Sequence, residues 1–60
     1  MKSDLVEIPC EVVRETEKAV LIDDGTKKVW LPKSQMEIQQ EGKTTIAVMP
    51  ERLAMEKELI

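Results

Sequence analysis

The chain has no histidine, phenylalanine or tyrosine. Its 60 residues include one cysteine, one tryptophan, two glycines and three prolines. Each shortage excludes something. Without histidine there is no imidazole base, so histidine-dependent acid–base and triad chemistry is ruled out. One cysteine cannot form an internal disulfide, and with no histidine beside it a structural zinc site lacks its usual ligands. A lone thiol suits a reducing compartment. Gly25 and Gly42 are isolated, so no glycine-rich loop cradles a phosphate. No apolar run approaches the roughly 20 residues of a membrane span. The start, Met1-Lys2-Ser3-Asp4, leads into a strand-like segment and has no signal-peptide core. The expectation is a cytoplasmic, non-enzymatic protein with no cofactor, metal or membrane association.

Sixty residues make one small domain, residues 1–60. A chain of this size buries only about 60% of its unfolded surface. Small scaffolds gain stability from disulfides, a metal or a second subunit. With the first two excluded, the choice lies between a well-packed mini-core and a homo-oligomer. The composition, 42% hydrophobic and 35% charged, suits a folded domain. A net charge of −3 argues against bulk binding to nucleic acid, which relies on many phosphate contacts. It leaves room for a local basic site.

Five strands and a helix are legible. Residues 5–16 alternate, with Val6, Ile8, Cys10 and Val12 on the inward side, and a period of two marks a half-buried strand. Pro9 cannot donate to a ladder, which calls for an edge or a bulge there. Residues 18–23 form a short apolar strand. Asp23-Asp24-Gly25-Thr26 is a hairpin turn, since glycine accepts a positive φ. In the returning strand, 27–32, Val29 and Leu31 share one face and Lys28 and Trp30 the other. Pro32 ends it. Residues 36–40 form a fourth strand with Met36 and Ile38 on one face, and 44–49 a fifth with Ile46 and Val48 inward. Pro50 suits the first position of a helix over about 50–59, and Glu51 suits its positive end. Leu53 with Ile60, and Met55 with Leu59, give it two apolar strips. About ten residues are too few to be helical alone, so the helix must dock. The fold class is mainly β (α+β): a five-stranded antiparallel barrel, SH3-like or OB-like, with a short C-terminal helix. Closure of such a sheet removes exposed edges.

Val29-Trp30-Leu31-Pro32-Lys33-Ser34-Gln35-Met36-Glu37 follows the Asp-Gly tip. Met49-Pro50-Glu51-Arg52-Leu53-Ala54 opens the helix. With these motifs the chain resembles, from about Val6 to Leu59, a group of small bacteriophage and prophage proteins. The resemblance implies a phage origin and carries over no catalytic or binding residue.

The candidate site is Lys27, Lys28, Trp30, Lys33 and Ser34. It holds the one aromatic and three of the nine basic residues, and no acid lies between Lys27 and Met36. Trp30 is either a stacking platform or the largest block of the core, packed beneath the helix. Aromatics stack on bases in single-strand binders while lysines meet phosphates, which makes nucleic acid one candidate partner. Tryptophan and methionine are also enriched in protein interfaces. A basic–aromatic patch in an acidic chain discriminates between partners, so a host or phage protein, or a sequestered small ligand, is the leading expectation. Ser34 is read as capping its own turn. Cys10 is read as a buried small hydrophobe, and Asp23 and Asp24 as turn formers.

Overall fold

The structure, a computed structural model, describes residues 4–60. The opening Met1-Lys2-Ser3, expected to lead into the first strand, lies outside the described residues. The strands are β1 (Leu5–Glu15), β2 (Ala19–Asp23), β3 (Lys28–Pro32), β4 (Glu37–Glu41) and β5 (Thr44–Pro50), followed by α1 (Glu51–Glu56). All pairs are antiparallel, in the order β3-β2-β1-β5-β4. The mainly β class with a short terminal helix is as expected. Closure is not seen: β3 and β4 are the two edges, and no Cα of one lies within 8 Å of the other.

β1 holds the two halves of the sheet together. Its first half, Leu5 to Cys10, pairs with β5, and its second half, Glu11 to Glu15, pairs with β2. Pro9 lies opposite Ile46 in the first half, where β1 has a partner on one side only. A missing N–H is tolerated there. A bulge follows, with the register shifting between Val12 and Arg14. Bulges bend a strand and let it pass from one sheet to another. Both halves then face one core: Ile8 from β1, Val20 and Ile22 from β2, Leu31 from β3, Met36 from the turn before β4, Ala47 and Met49 from β5, and Leu53 and Ala54 from α1. A side chain as fully buried as Ile22, Leu31 or Met49 contributes about 1.5–3 kcal/mol.

Several faces differ from expectation. In β5 it is Ala47 and Met49 that join the core cluster. Ile46 and Val48 take the opposite face, with Ile46 covered between its cross-strand neighbours Pro9 and Gln39. Both faces of this strand are apolar, so its period of two does not choose between them. Val12, next to the bulge, is exposed. Ile38 is also exposed because β4 is an edge, while Met36 is buried just before that strand begins.

The helix is shorter than its propensities suggest, six residues in all. Pro50 is its N-cap and still extended, with φ −61° and ψ 145°, so it stands one residue before the first helical position. The Glu51 N–H donates to the Asp4 carbonyl at 2.7 Å, which satisfies one of the open donors of the first turn. At the other end, Glu58 adopts φ 59°. Its N–H donates to Met55, and the Leu59 N–H donates to Ala54 at 2.8 Å. This is a Schellman termination. It turns Leu59 back onto the core and leaves Met55 and Ile60 exposed, so the two apolar strips do not dock as pairs.

The β2–β3 hairpin is held by its aspartates. Asp23 Oδ1 accepts the Gly25 N–H at 2.8 Å. Asp24 Oδ1 accepts the N–H groups of Thr26 at 2.8 Å and Lys27 at 2.9 Å. Gly25 has φ 97°, as the Asp-Gly signal requires.

Two outcomes follow from these termini and turns. Glu58→Gly relieves a left-handed non-glycine residue, a change worth about 1 kcal/mol, and loses only an exposed ion pair with Lys27. Thermal denaturation should show a midpoint higher by about 4 °C. Glu58→Ala, which keeps the strain and loses the pair, should show no gain. Hydrogen bonds from the Lys27 and Thr26 N–H groups hold the Asp24 carboxyl below its ordinary pKa. That contribution to stability is complete above the ordinary carboxylate range and is lost as pH falls through the lowered value. Urea titrations across the acid range should give Asp24→Asn a flatter stability profile than the native chain; parallel profiles would refute this.

Candidate functional site

β3 alternates as its sequence requires. Leu31 is fully buried and Val29 half-buried toward the core, while Lys28 and Trp30 point outward. Trp30 is 43% exposed, so it is not the block beneath the helix. The β2–β3 register sets Trp30 opposite Leu21, and Leu21 lies opposite Arg14 of β1. Arg14, Leu21 and Trp30 thus form one row across three strands on the outer face. Pro32 and Ala19 pair on one side of this row, and Lys28 and Asp23 on the other.

Arg14 and Leu21 were not legible as site residues. Arg14 reaches this row because the bulge shifts the register, so that Arg14 rather than Val13 opposes Leu21. Leu21 lies in a continuous apolar run, and only the burial of Val20 and Ile22 on the other face marks it as outward. The detectable signal was the arithmetic of the hairpin: an Asp-Gly turn fixes which β2 residue meets Trp30.

The three lysines are not equivalent. The Lys27 ammonium lies 3.6 Å from the Glu58 carboxylate. Lys33, in the turn after β3, is hydrogen-bonded to the Glu15 carboxylate. Both pairs are solvent-accessible and of small net worth. Lys28 makes no ion pair among the described residues, although Asp23 lies opposite; the Asp23 carboxylate is turned into the hairpin toward Gly25. Ser34 is exposed in the turn, and its hydroxyl makes no hydrogen bond among the described residues. The expected cap is replaced by main chain. The Gln35 N–H donates to Pro32 at 3.1 Å, and the Lys33 N–H to Lys18 at 2.9 Å. The structure therefore brings Lys28 and Trp30 onto one face, holds Lys27 and Lys33 at the two ends of β3, and leaves Ser34 beyond it.

The other reactive side chains are quiet. Cys10 is half-buried against the core. Burial, with a smaller contribution from the Asp24 charge, pushes its thiol pKa up. A protonated thiol is a weak nucleophile. No group of three or more Cys, Asp or Glu side chains among the described residues is placed to hold a metal ion. Among them, too, no helix is long and apolar enough to cross a membrane.

Trp30 fluorescence checks the site directly. Emission should lie toward the red of a buried indole, and acrylamide should quench it efficiently; a blue, unquenched emission would remove Trp30 from the surface. Comparison of the chain with protein-family models, curated proteins and solved structures finds no match.

Proposed function

We propose that this is a small, non-enzymatic interaction module that binds a protein partner through the outer face of β3. The observation that carries the reading is the exposed Trp30 at the end of the Arg14–Leu21–Trp30 row. A half-exposed tryptophan set among basic side chains is the pattern of an interface anchor, since Trp and Arg dominate binding energy where they occur. The raised pKa of Cys10 and the absence of histidine support a role without catalysis. The Trp-Leu-Pro-Lys-Ser and Pro-Glu-Arg-Leu-Ala segments support a phage-encoded protein acting in the cytoplasm. We also read the bent sheet as a barrel of SH3-like type left open between β3 and β4. The run of simple hairpins β1–β2, β2–β3 and β4–β5 supports this over an OB-like arrangement, which is a Greek key.

A second reading has one observation in its favour. Trp30 is accessible, and Lys28 and Arg14 lie near it without ion pairs among the described residues, which is what stacking on a single-stranded nucleic acid needs. The net charge of −3 and the single aromatic weigh against it.

One experiment separates the two. Lysate proteins retained on the immobilised native chain should be lost with Trp30→Ala and kept with Met55→Ala, an exposed apolar change elsewhere. In parallel, Trp30 emission should not respond to short single-stranded DNA or RNA. Quenching by oligonucleotide that salt reverses would favour the nucleic-acid reading, because phosphate contacts release counterions. Equal retention by the native chain and Trp30→Ala would refute the protein-partner reading at this face.

A further inference from the structure

We propose that the open edge of β3 takes an extended, acidic segment of the partner as a sixth strand. This rests on the protein-partner reading and specifies its chemistry.

The main-chain geometry comes first. In an antiparallel ladder, hydrogen-bonded and non-bonded residue pairs alternate. At one end of the β2–β3 hairpin the Lys33 N–H donates to the Lys18 carbonyl, and at the other the Asp24 N–H donates to the Lys27 carbonyl. Both pairs share the register that joins Val20 to Leu31 and Ile22 to Val29. The bonded positions on the β3 side are therefore Lys27, Val29, Leu31 and Lys33. Lys28, Trp30 and Pro32 fall between them, so their main-chain groups point away from β2. Among the described residues no strand lies on that side, because β3 is an edge. Lys28 and Trp30 each present an N–H and a C=O outward. Pro32 has no N–H, and its C=O already accepts the Gln35 N–H, so the open stretch of main chain is Lys28 to Trp30. An edge of this kind is a template for strand addition.

Charge selects the occupant. Lys27, Lys28 and Lys33 span this edge, with no acid between Lys27 and Met36. The ion pairs of Lys27 with Glu58 and of Lys33 with Glu15 are solvent-accessible and exchange readily for a partner's carboxylates. The opposite edge, β4, carries Glu37 and Glu41 and no basic residue, so it repels the same segment. On the outer face an added strand lays an apolar side chain beside Trp30, in line with Leu21. The fitting segment is extended, free of proline, apolar at its centre and acidic toward its ends.

The test uses the full chain. Random displayed peptides selected on it should be enriched for acidic residues flanking an apolar centre. Binding of a selected synthetic peptide is then followed by Trp30 emission and by amide NMR shifts. Shifts should concentrate at Lys28 to Pro32 and spare β4. Methylating the peptide amides that face Lys28 and Trp30 should weaken binding about tenfold or more, since each blocks a main-chain donor. Lys28→Glu should weaken it about tenfold, and Lys28→Gln less. Selection of basic peptides, or of none, overturns the proposal. So does sedimentation showing a second copy seated on this edge. Loss of binding in Trp30→Ala with no effect of peptide methylation overturns strand addition alone and keeps side-chain docking on the face. Peptide binding that Trp30→Ala does not alter overturns the underlying reading as well.

Discussion

The change of partner along β1 is the constraint on which the rest of the structure depends. One strand serves β5 with its first half and β2 with its second. Were it straight, the sheet would be open and nearly flat, and 60 residues would not cover its faces. The bend at the bulge turns the β2–β3 hairpin so that Val20, Ile22 and Leu31 meet Ile8, Ala47 and Met49 in one core. Pro9 fits because β1 is paired on one side only at that point. A six-residue helix suffices to finish the core, because Leu53, Ala54 and the returning Leu59 fill what the folded sheet leaves open.

The bend that builds the core also builds the site. By slipping the register at Val13, it sets Arg14 in line with Leu21 and Trp30. Each edge of the unclosed sheet has its own character. β4 is acidic and exposed along its whole length, the usual guard against unwanted pairing. β3 ends in Pro32 and is flanked by lysines, two of which are occupied by carboxylates from elsewhere in the fold. The same main chain that closes the hairpin inward leaves Lys28 and Trp30 free to bond outward. The proposed recognition thus draws on the residues of β3 that alternate with those bonded in the hairpin, and neither use competes with the other.

Glu58 shows how a small protein carries a local strain for a tertiary end. Its left-handed backbone costs about 1–2 kcal/mol, yet it stops the helix where Leu59 can turn back onto the core. The same conformation carries its carboxylate to Lys27. A glycine would make the termination easier and lose the contact with the hairpin.

The sequence by itself determined the local matters. Asp23, Asp24 and Gly25 specify a hairpin because short-range hydrogen bonds and a positive φ decide it. Alternation across Lys28 to Leu31 puts Trp30 on the face opposite Leu31, because neighbouring side chains must point to opposite sides of a strand. Five strands, their approximate limits and the terminal helix follow from the same short-range rules. Only the tertiary structure decided the rest. Ile46 and Val48 compete with Ala47 and Met49 for the core on equal apolar terms, and the pairing with β1 and β4 settles it. Propensity extends the helix to residue 59, but the docking of Leu59 ends it at Glu56. Arg14 joins Trp30 through a one-residue slip between strands, which no pattern within β1 records. Strand order and open edges belong to the same class, since they depend on which segments meet across the chain.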